Sequence, residues 1–474
     1  MAWLTYLSFV VVAGLVLQNF ISRRASRRQR ELPHIPLVKF DENDTLERYI
    51  SSTRELMHKG YLQYSKKGQA FKIRNPVDER CPQVIISKKY LDEVKNAPED
   101  KFSFPLYSIQ AFLLEYSGSV LPSASATHVT RIDLNKNLDW TSLKPWDTFL
   151  PVISRVTGRV LVGSELCKDP EWIQLTITNT TGIVKSAMAI RETYSSQWQW
   201  LAPWTAPWRN DLINARQKAT QLIEPTCRKR ISGVSGEENN NVVKWLIDHS
   251  EGKPITPAEI ADSILFLYMA GIHSTSASLI SIVYDLIAYS EYIPGIIEEI
   301  KQTLAESPEW TKLSLAKLRK LDSFLRENQR LHSVGMVTVQ RSTVVPYTFS
   351  DGLYLPANTM LAFPTYEVTH DPDIYPNPDE FDGLRFYRMR EQGDAAKFHY
   401  ATVSNESTNF GAGFHACPGR FFVGYELKII LAELLLNYDL KFAVGNERPP
   451  DLLHDFSIQP NPEAELLIRR KEEV

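Results

Sequence analysis

Cysteine is scarce and scattered: Cys81, Cys167, Cys227 and Cys417 are the only four in 474 residues. No two stand close enough for a zinc-binding pair, and their density is far below that of a disulfide-built scaffold. A domain kept in reducing surroundings, facing the cytosol, is the expectation. An excess of charge of either sign is also missing, with 53 Lys and Arg against 56 Asp and Glu. That removes both the basic field a nucleic-acid binder needs and the acidic surplus of a disordered chain, so nucleic acid is not an expected partner. Internal repeats and long linkers are absent too. The one biased tract, Ser235 to Asn241 (SGEENNN), reads as a solvated connection between helices. Length by itself allows two or three average domains or one unusually large one.

What the sequence does have begins with an apolar run, Ala2 to Leu17, followed by Arg23, Arg24, Arg27, Arg28 and Arg30. Secretory signals carry positive charge before the apolar core; here it follows, which keeps the remainder on the cytosolic side. Residues 1–22 therefore read as a single uncleaved transmembrane anchor, just long enough to span. Residues 23–37, basic and then carrying Pro33 and Pro36, read as a hinge, and residues 38–474 as one domain. The sequons at Asn43, Asn179 and Asn405 are taken as chance matches, because a cytosolic domain never meets the glycosylation machinery.

The body is mostly helical in pattern, with β-branched residues and turn signals concentrated in Val337 to Pro364. One helix start is strongly marked: Thr256 as cap, Pro257 at the first helical position and Glu259 completing a capping box. The helix is apolar on nearly all sides to about Ser290, as for a helix running through a core. Its centre nevertheless holds Ala270, Gly271, His273, Ser274 and Thr275. Mid-helix glycine costs about 1 kcal/mol relative to alanine. Close helix packing would account for it, and so would room for a ligand beside a hydroxyl and an imidazole.

The densest cluster of turn formers is NFGAGFHACPGRFF, Asn409 to Phe422. A helix is expected just after Pro418, placing the Cys417 thiol at a helix N-terminus, where amides and dipole favour thiolate. Its glycines allow the backbone to press against a flat object, with Phe410 as an aromatic wall. A lone cysteine is usually a small buried hydrophobe. A glycine-lined thiolate without a nucleophile's partners is better read as a metal ligand.

The run Phe410-Gly-Ala-Gly413-Phe-His-Ala-Cys417-Pro-Gly419 resembles the haem-binding loop of the cytochrome P-450 family. That resemblance implies a mainly α fold with a small β-sheet, a single large catalytic domain, and Cys417 as axial ligand of haem b, a thiolate that favours O–O cleavage. Glu327 and Arg330 match the family's Glu-x-x-Arg pair, and Arg385 its later arginine, together a buried structural network. The central helix resembles the oxygen-activating helix, but His273 stands where the family has an acid and Ser274 where it has threonine. A proton could still be delivered through Ser274 and ordered water, with Thr275 next to it. His273 is either a proton shuttle or a hydrogen-bonding group for substrate or backbone. For the haem propionates the resemblance points to His415, to Arg131 with His128 beside it, and to Arg341.

The implied activity is that of a monooxygenase using O2 and NADPH-derived electrons on a bulky hydrophobic small molecule. With no flavin or nicotinamide domain recognised in these residues, the expected donor is NADPH-cytochrome P-450 reductase, at the endoplasmic reticulum membrane. HACPGRFF, AGIHST and HDPDIYPNPDEFDGLRF look most similar to filamentous-fungal secondary-metabolism members, which points to a terpenoid, meroterpenoid or indole-terpenoid substrate. Two alternatives stay open: a haem-thiolate enzyme that desaturates, dehydrates or rearranges its substrate, and a non-catalytic haem-binding membrane protein.

Overall fold

The computed structural model describes residues 32–75, 82–98, 100–103, 106–107, 110, 140–205, 208–231, 241–250, 255–393 and 397–471. The expected anchor, Arg131, His128, Cys81 and most of the Ser235–Asn241 tract lie outside them.

The longer helices are α1 (Leu46–Gln63), α2 (Pro145–Leu161), α3 (Pro170–Thr193), α4 (Trp208–Ile231), α5 (Pro257–Ala288), α6 (Ile293–Glu306), α7 (Arg319–Leu331), α8 (Arg385–Gln392) and α9 (Arg420–Asn437). α5 starts where the sequence predicts. Thr256 Oγ1 accepts from the Glu259 amide at 3.3 Å and Glu259 Oε2 accepts from the Thr256 amide at 2.8 Å, with Pro257 in the first turn. It is also the helix, among the described residues, long and apolar enough to cross a bilayer, yet it lies mostly buried within the protein. α2 crosses it closely at Gly158: a Cβ there would fall 2.4 Å from Tyr268 Oη, the hydroxyl that accepts from Trp172 Nε1 at 2.9 Å. Ile264, Tyr268, Ile272, Leu279 and Val283 of α5 join Leu427 and Leu431 of α9 in the main core.

Apart from the short antiparallel pair Tyr347–Thr348 and Tyr354–Leu355, the strands among the described residues are β1 (Phe71–Ile73), β2 (Gln83–Ile85), β3 (Phe102–Ser103), β4 (Thr141–Leu143), β5 (Thr338–Thr343), β6 (Met360–Phe363), β7 (Tyr438–Phe442), β8 (Leu452–His454), β9 (Ser457–Gln459) and β10 (Leu466–Arg470). Five form one mixed sheet in the order β1-β2-β6-β5-β3, in which β2 runs parallel to β6 and the other pairs are antiparallel. β4, β10 and β7 form a second sheet, and β8 and β9 an isolated hairpin. A bulge interrupts β5 between Thr338 and Arg341, where Val339 has φ +48°.

The predicted hinge boundary at residue 37 does not hold. Leu32 and Ile35 are 1% and 2% exposed and pack into a core cluster. Lys72 of β1 fixes this segment from both sides, its Nζ donating to the Leu32 carbonyl at 2.8 Å and its amide to the Pro36 carbonyl at 2.8 Å. Two apolar side chains and a strand edge hold residues 32–38 as part of the domain. Asn179, one of the three sequons, is buried, which removes it as an acceptor whatever its compartment.

Candidate active site

The Cys417 loop is folded by its own backbone. The Cys417 amide donates to the Phe410 carbonyl at 2.6 Å and the Ala416 amide to the Gly413 carbonyl at 3.1 Å. Gly411 and Gly413 have φ of +73° and +66°, values that favour glycine. The expectation that Gly413 makes room for a flat object is corrected on its side-chain side. A Cβ there would sit 1.6 Å from the Lys95 carbonyl oxygen, so glycine is required by packing against the protein itself. Gly419 differs, since its added Cβ would meet only Cys417 Sγ, at 3.8 Å.

α9 begins at Arg420, and the half-buried Cys417 sulfur accepts hydrogen bonds from the Gly419 and Arg420 amides. Burial nevertheless pushes the thiol above its ordinary range, against the pull of those amides and the Arg420 guanidinium. The thiolate expected from the helix terminus alone is thus not favoured in the bare protein, because desolvation is the larger influence. A coordinated metal ion would reverse this by deprotonating the thiol outright.

Phe410 packs edge-on to Tyr400, ring centroids 5.3 Å apart at 88°. Tyr400 is hydrogen-bonded to Ser278 of α5 and lies in the electrostatic reach of Cys417. It therefore ties the cysteine loop to the central helix one turn beyond Ser274. On that helix the open stripe is made of small residues: Ala270 and Ser274 are exposed although the surrounding turns are buried, and a Cβ on Gly271 would meet nothing within 4 Å. Ser274 Oγ donates to the carbonyls of Ala270 at 3.1 Å and Gly271 at 3.3 Å. Thr275 does not share the stripe; it is 3% exposed and turned into the core. His273 stands to the other side, its Nε2 sealed and without a partner among the described residues, and burial holds the imidazole below its ordinary value. A sulfur at a helix start and a slot lined by small residues fit haem held through Cys417.

Glu327, Arg330 and Arg385 come together. Arg330 donates to both Glu327 oxygens at 2.9 and 2.8 Å, and Arg385 Nε to both at 3.1 Å. The other guanidinium nitrogens reach the carbonyls of Thr369, Pro376, Asn377, Pro378 and Glu380, so every nitrogen of the two guanidinium groups is hydrogen-bonded. Arg341 lies on β5, 2% exposed, with Nη1 donating to the Gln340 carbonyl at 2.8 Å. His415 ends the short turn Gly413–His415.

Sequence reasoning missed Tyr400 and a second buried network around Asp322. Burial alone would raise the Asp322 carboxyl; Lys428 at 2.7 Å, His399 and Arg390 at 2.9 Å outweigh it and hold it well below the usual range. Neither carries a local motif that could have flagged it.

The sequence profile of the cytochrome P450 family matches residues 134–467. Among curated relatives, the cytochrome P450 monooxygenase CYP2 of Pyricularia oryzae is 47% identical over 86% of this chain and 91% of its own. The cytochrome P450 monooxygenase cheE of Chaetomium globosum is 39% identical over 99% of this chain and 98% of its own. Pyrichalasin C-7 hydroxylase of Pyricularia grisea is 37% identical over 97% of each. Of solved structures, the retinoic acid-bound cyanobacterial CYP120A1 matches with a TM-score of 0.64 at 18% identity, covering 92% of this chain and 99% of that one, a likeness of fold.

Proposed function

Because the chain belongs to the cytochrome P450 family, we propose that it is a membrane-bound haem-thiolate monooxygenase that hydroxylates a bulky hydrophobic small molecule, a terpenoid or meroterpenoid of fungal secondary metabolism. The observation that carries this reading is Cys417 Sγ at the start of α9, receiving two backbone amides and tied through Phe410, Tyr400 and Ser278 to the open stripe on α5. Haem bound there supplies the reductive activation of O2 and the transfer of one oxygen atom to a C–H bond.

The chain's own residues do the rest. The Gly419 and Arg420 amides take up charge on the sulfur, and Phe410 walls the loop. Ser274 holds a hydroxyl proton on the open face of α5, at an atom that can pass it to water. His273, kept neutral by burial, serves as a hydrogen-bonding group rather than a charged shuttle. Arg131, His128, Arg341 and His415 are the residues assigned to the propionates, and the Glu327 triad holds the stretch from Thr369 to Arg385. Electrons come from NADPH-cytochrome P-450 reductase at the endoplasmic reticulum, with residues 1–22 as anchor. Trp198, Trp200 and Trp204 support a membrane-facing surface: they are 54%, 40% and 74% exposed and cluster at 5.9–6.5 Å, and tryptophan is enriched at bilayer boundaries.

A relative named for hydroxylation at one carbon supports hydroxylation as the reaction. The test is the spectrum of the carbon monoxide adduct, followed by turnover under labelled O2 with terpenoid, pyrichalasin-type and fatty-acid substrates. Cys417→Ala is expected to abolish the thiolate spectrum and product together, and a variant keeping both would overturn the assignment. Label in the product supports hydroxylation; product without label replaces it by desaturation or rearrangement.

A further inference from the structure

Asp455 stands at the tip of the β8–β9 hairpin with φ +54°, and the tip is pinned: the Phe456 carbonyl accepts from the Met336 amide at 2.8 Å and Ser457 bridges to Gly335. The segment it is pinned to also holds the cysteine loop, through Ser333 Oγ to Asn409 Oδ1 at 2.8 Å and Thr338 Oγ1 to Thr408 Oγ1 at 2.9 Å. Three residues past the pin comes the bulge at Val339. A β-branched residue at φ +48° is strained. Bulges re-aim side chains, and here the next residue, Gln340, donates through Nε2 to Tyr107 Oη. Arg191, in the last turn of α3, interacts electrostatically with both Tyr107 and Asp455, and Tyr49 of α1 feels the same carboxylate.

Five polar side chains from five distant segments thus lie within electrostatic or hydrogen-bonding reach of one another near the bulge of β5. Two of their atoms are sealed from solvent with no hydrogen-bond partner among the described residues, Asp455 Oδ1 and Tyr49 Oη. Leaving such groups without a hydrogen bond is unfavourable, and a ligand making those bonds removes the cost. A group that both donates and accepts matches a carboxylate oxygen beside a phenol and a guanidinium.

We propose that Asp455, with Arg191, Tyr107, Gln340 and Tyr49, forms a polar subsite that binds a hydroxyl or secondary-amide group of the hydrophobic substrate, away from the carbon that is oxidised. This rests on the haem-thiolate reading above. An otherwise apolar molecule is then held at its polar end, which selects which carbon reaches the Ser274 stripe. Burial pushes the Asp455 carboxyl up, against Arg191, His454 and a hydrogen bond from the Phe456 amide, and Oδ1 is the oxygen left for a donor on the substrate.

The test is a titration of the ferric full-length holoenzyme with two matched pairs, abietinol and its methyl ether, and N-(1-adamantyl)acetamide and its N-methyl derivative, following the haem absorption shift. The parent of at least one pair is expected to bind about tenfold tighter than its methylated counterpart, the worth of one buried hydrogen bond. Asp455→Gly should remove that preference, glycine tolerating the φ of +54° that a larger apolar residue would strain. Gln340→Leu and Arg191→Met carry the same comparison if Asp455→Gly does not fold. Equal binding of parent and methylated forms, a preference that survives all the variants, or no response to any of the four ligands overturns the subsite. If the thiolate-haem spectrum is intact in those cases, only the subsite fails; if that spectrum is absent from the wild type, the haem-thiolate reading itself has failed.

Discussion

Ser274 illustrates what one atom decides. Its hydroxyl is turned back onto the Ala270 and Gly271 carbonyls, yet the residue faces open space, so its proton is held and accessible at once. Ser274→Ala is expected to leave folding unchanged and to cut product formed per NADPH by about tenfold or more, with the difference appearing as hydrogen peroxide. Unchanged coupling would remove the hydroxyl from the proton path. At this scale the sequence was legible where chemistry is written into neighbours. Cys417 and Ser274 can be singled out as candidates because glycines, a proline and a helical period surround them. Thr275 was misjudged, because one residue along a helix is a turn of 100° and takes it from the slot into the core. The burial that opposes the helix terminus at Cys417 was not legible, since the terminus is local while the burial comes from the whole fold.

Between elements, two glycines of the helical layer make opposite predictions. Gly158→Ala drives a Cβ into Tyr268 Oη at the α2–α5 crossing and is expected to cost about 1–3 kcal/mol in chemical denaturation. Gly271→Ala meets nothing, so it should leave stability equal or raise it by up to about 1 kcal/mol while weakening the spectral response to bulky ligands. The Glu327 triad gives a third case. Glu327→Gln leaves two buried guanidinium groups without their counter-charge and is expected to destabilise the fold by about 3–5 kcal/mol, measurable as a fall in denaturation midpoint and in haem content. This triad was readable because two of its members share one helical face. The Asp322 network was not: Asp322, Arg390, His399 and Lys428 come from four stretches, and nothing short of the packed fold brings them together. Asp455 is similar, a lone acid in a turn until the hairpin delivers it to Arg191.

For the molecule as a whole, Glu426 sets a dependence on pH. It is fully enclosed on α9, with Oε1 accepting from Thr157 Oγ1 at 3.1 Å and Oε2 without a partner among the described residues, and burial pushes its carboxyl up to about 8 from an ordinary 4.5. The folded chain thus keeps this proton where the unfolded chain has lost it. Stability from this group falls as pH rises from about 4.5 to 8, by up to roughly 5 kcal/mol, and is level above. Glu426→Gln should flatten that slope and raise stability most at pH 8 and above; melting curves from pH 5 to 9 would reveal it, and parallel curves for the two proteins would refute it.

The order of strands adds a practical consequence. β1 is the outer strand of the five-stranded sheet, and residues 32–38 lie along it, with Leu37 bridging Lys72. An uncovered strand edge is a template for pairing with another chain. A shortened protein prepared by cutting away the apolar beginning must therefore keep Leu32. One cut at residue 38, where the prolines invite it, would strip the sheet of its border and yield a product that associates with itself through β1.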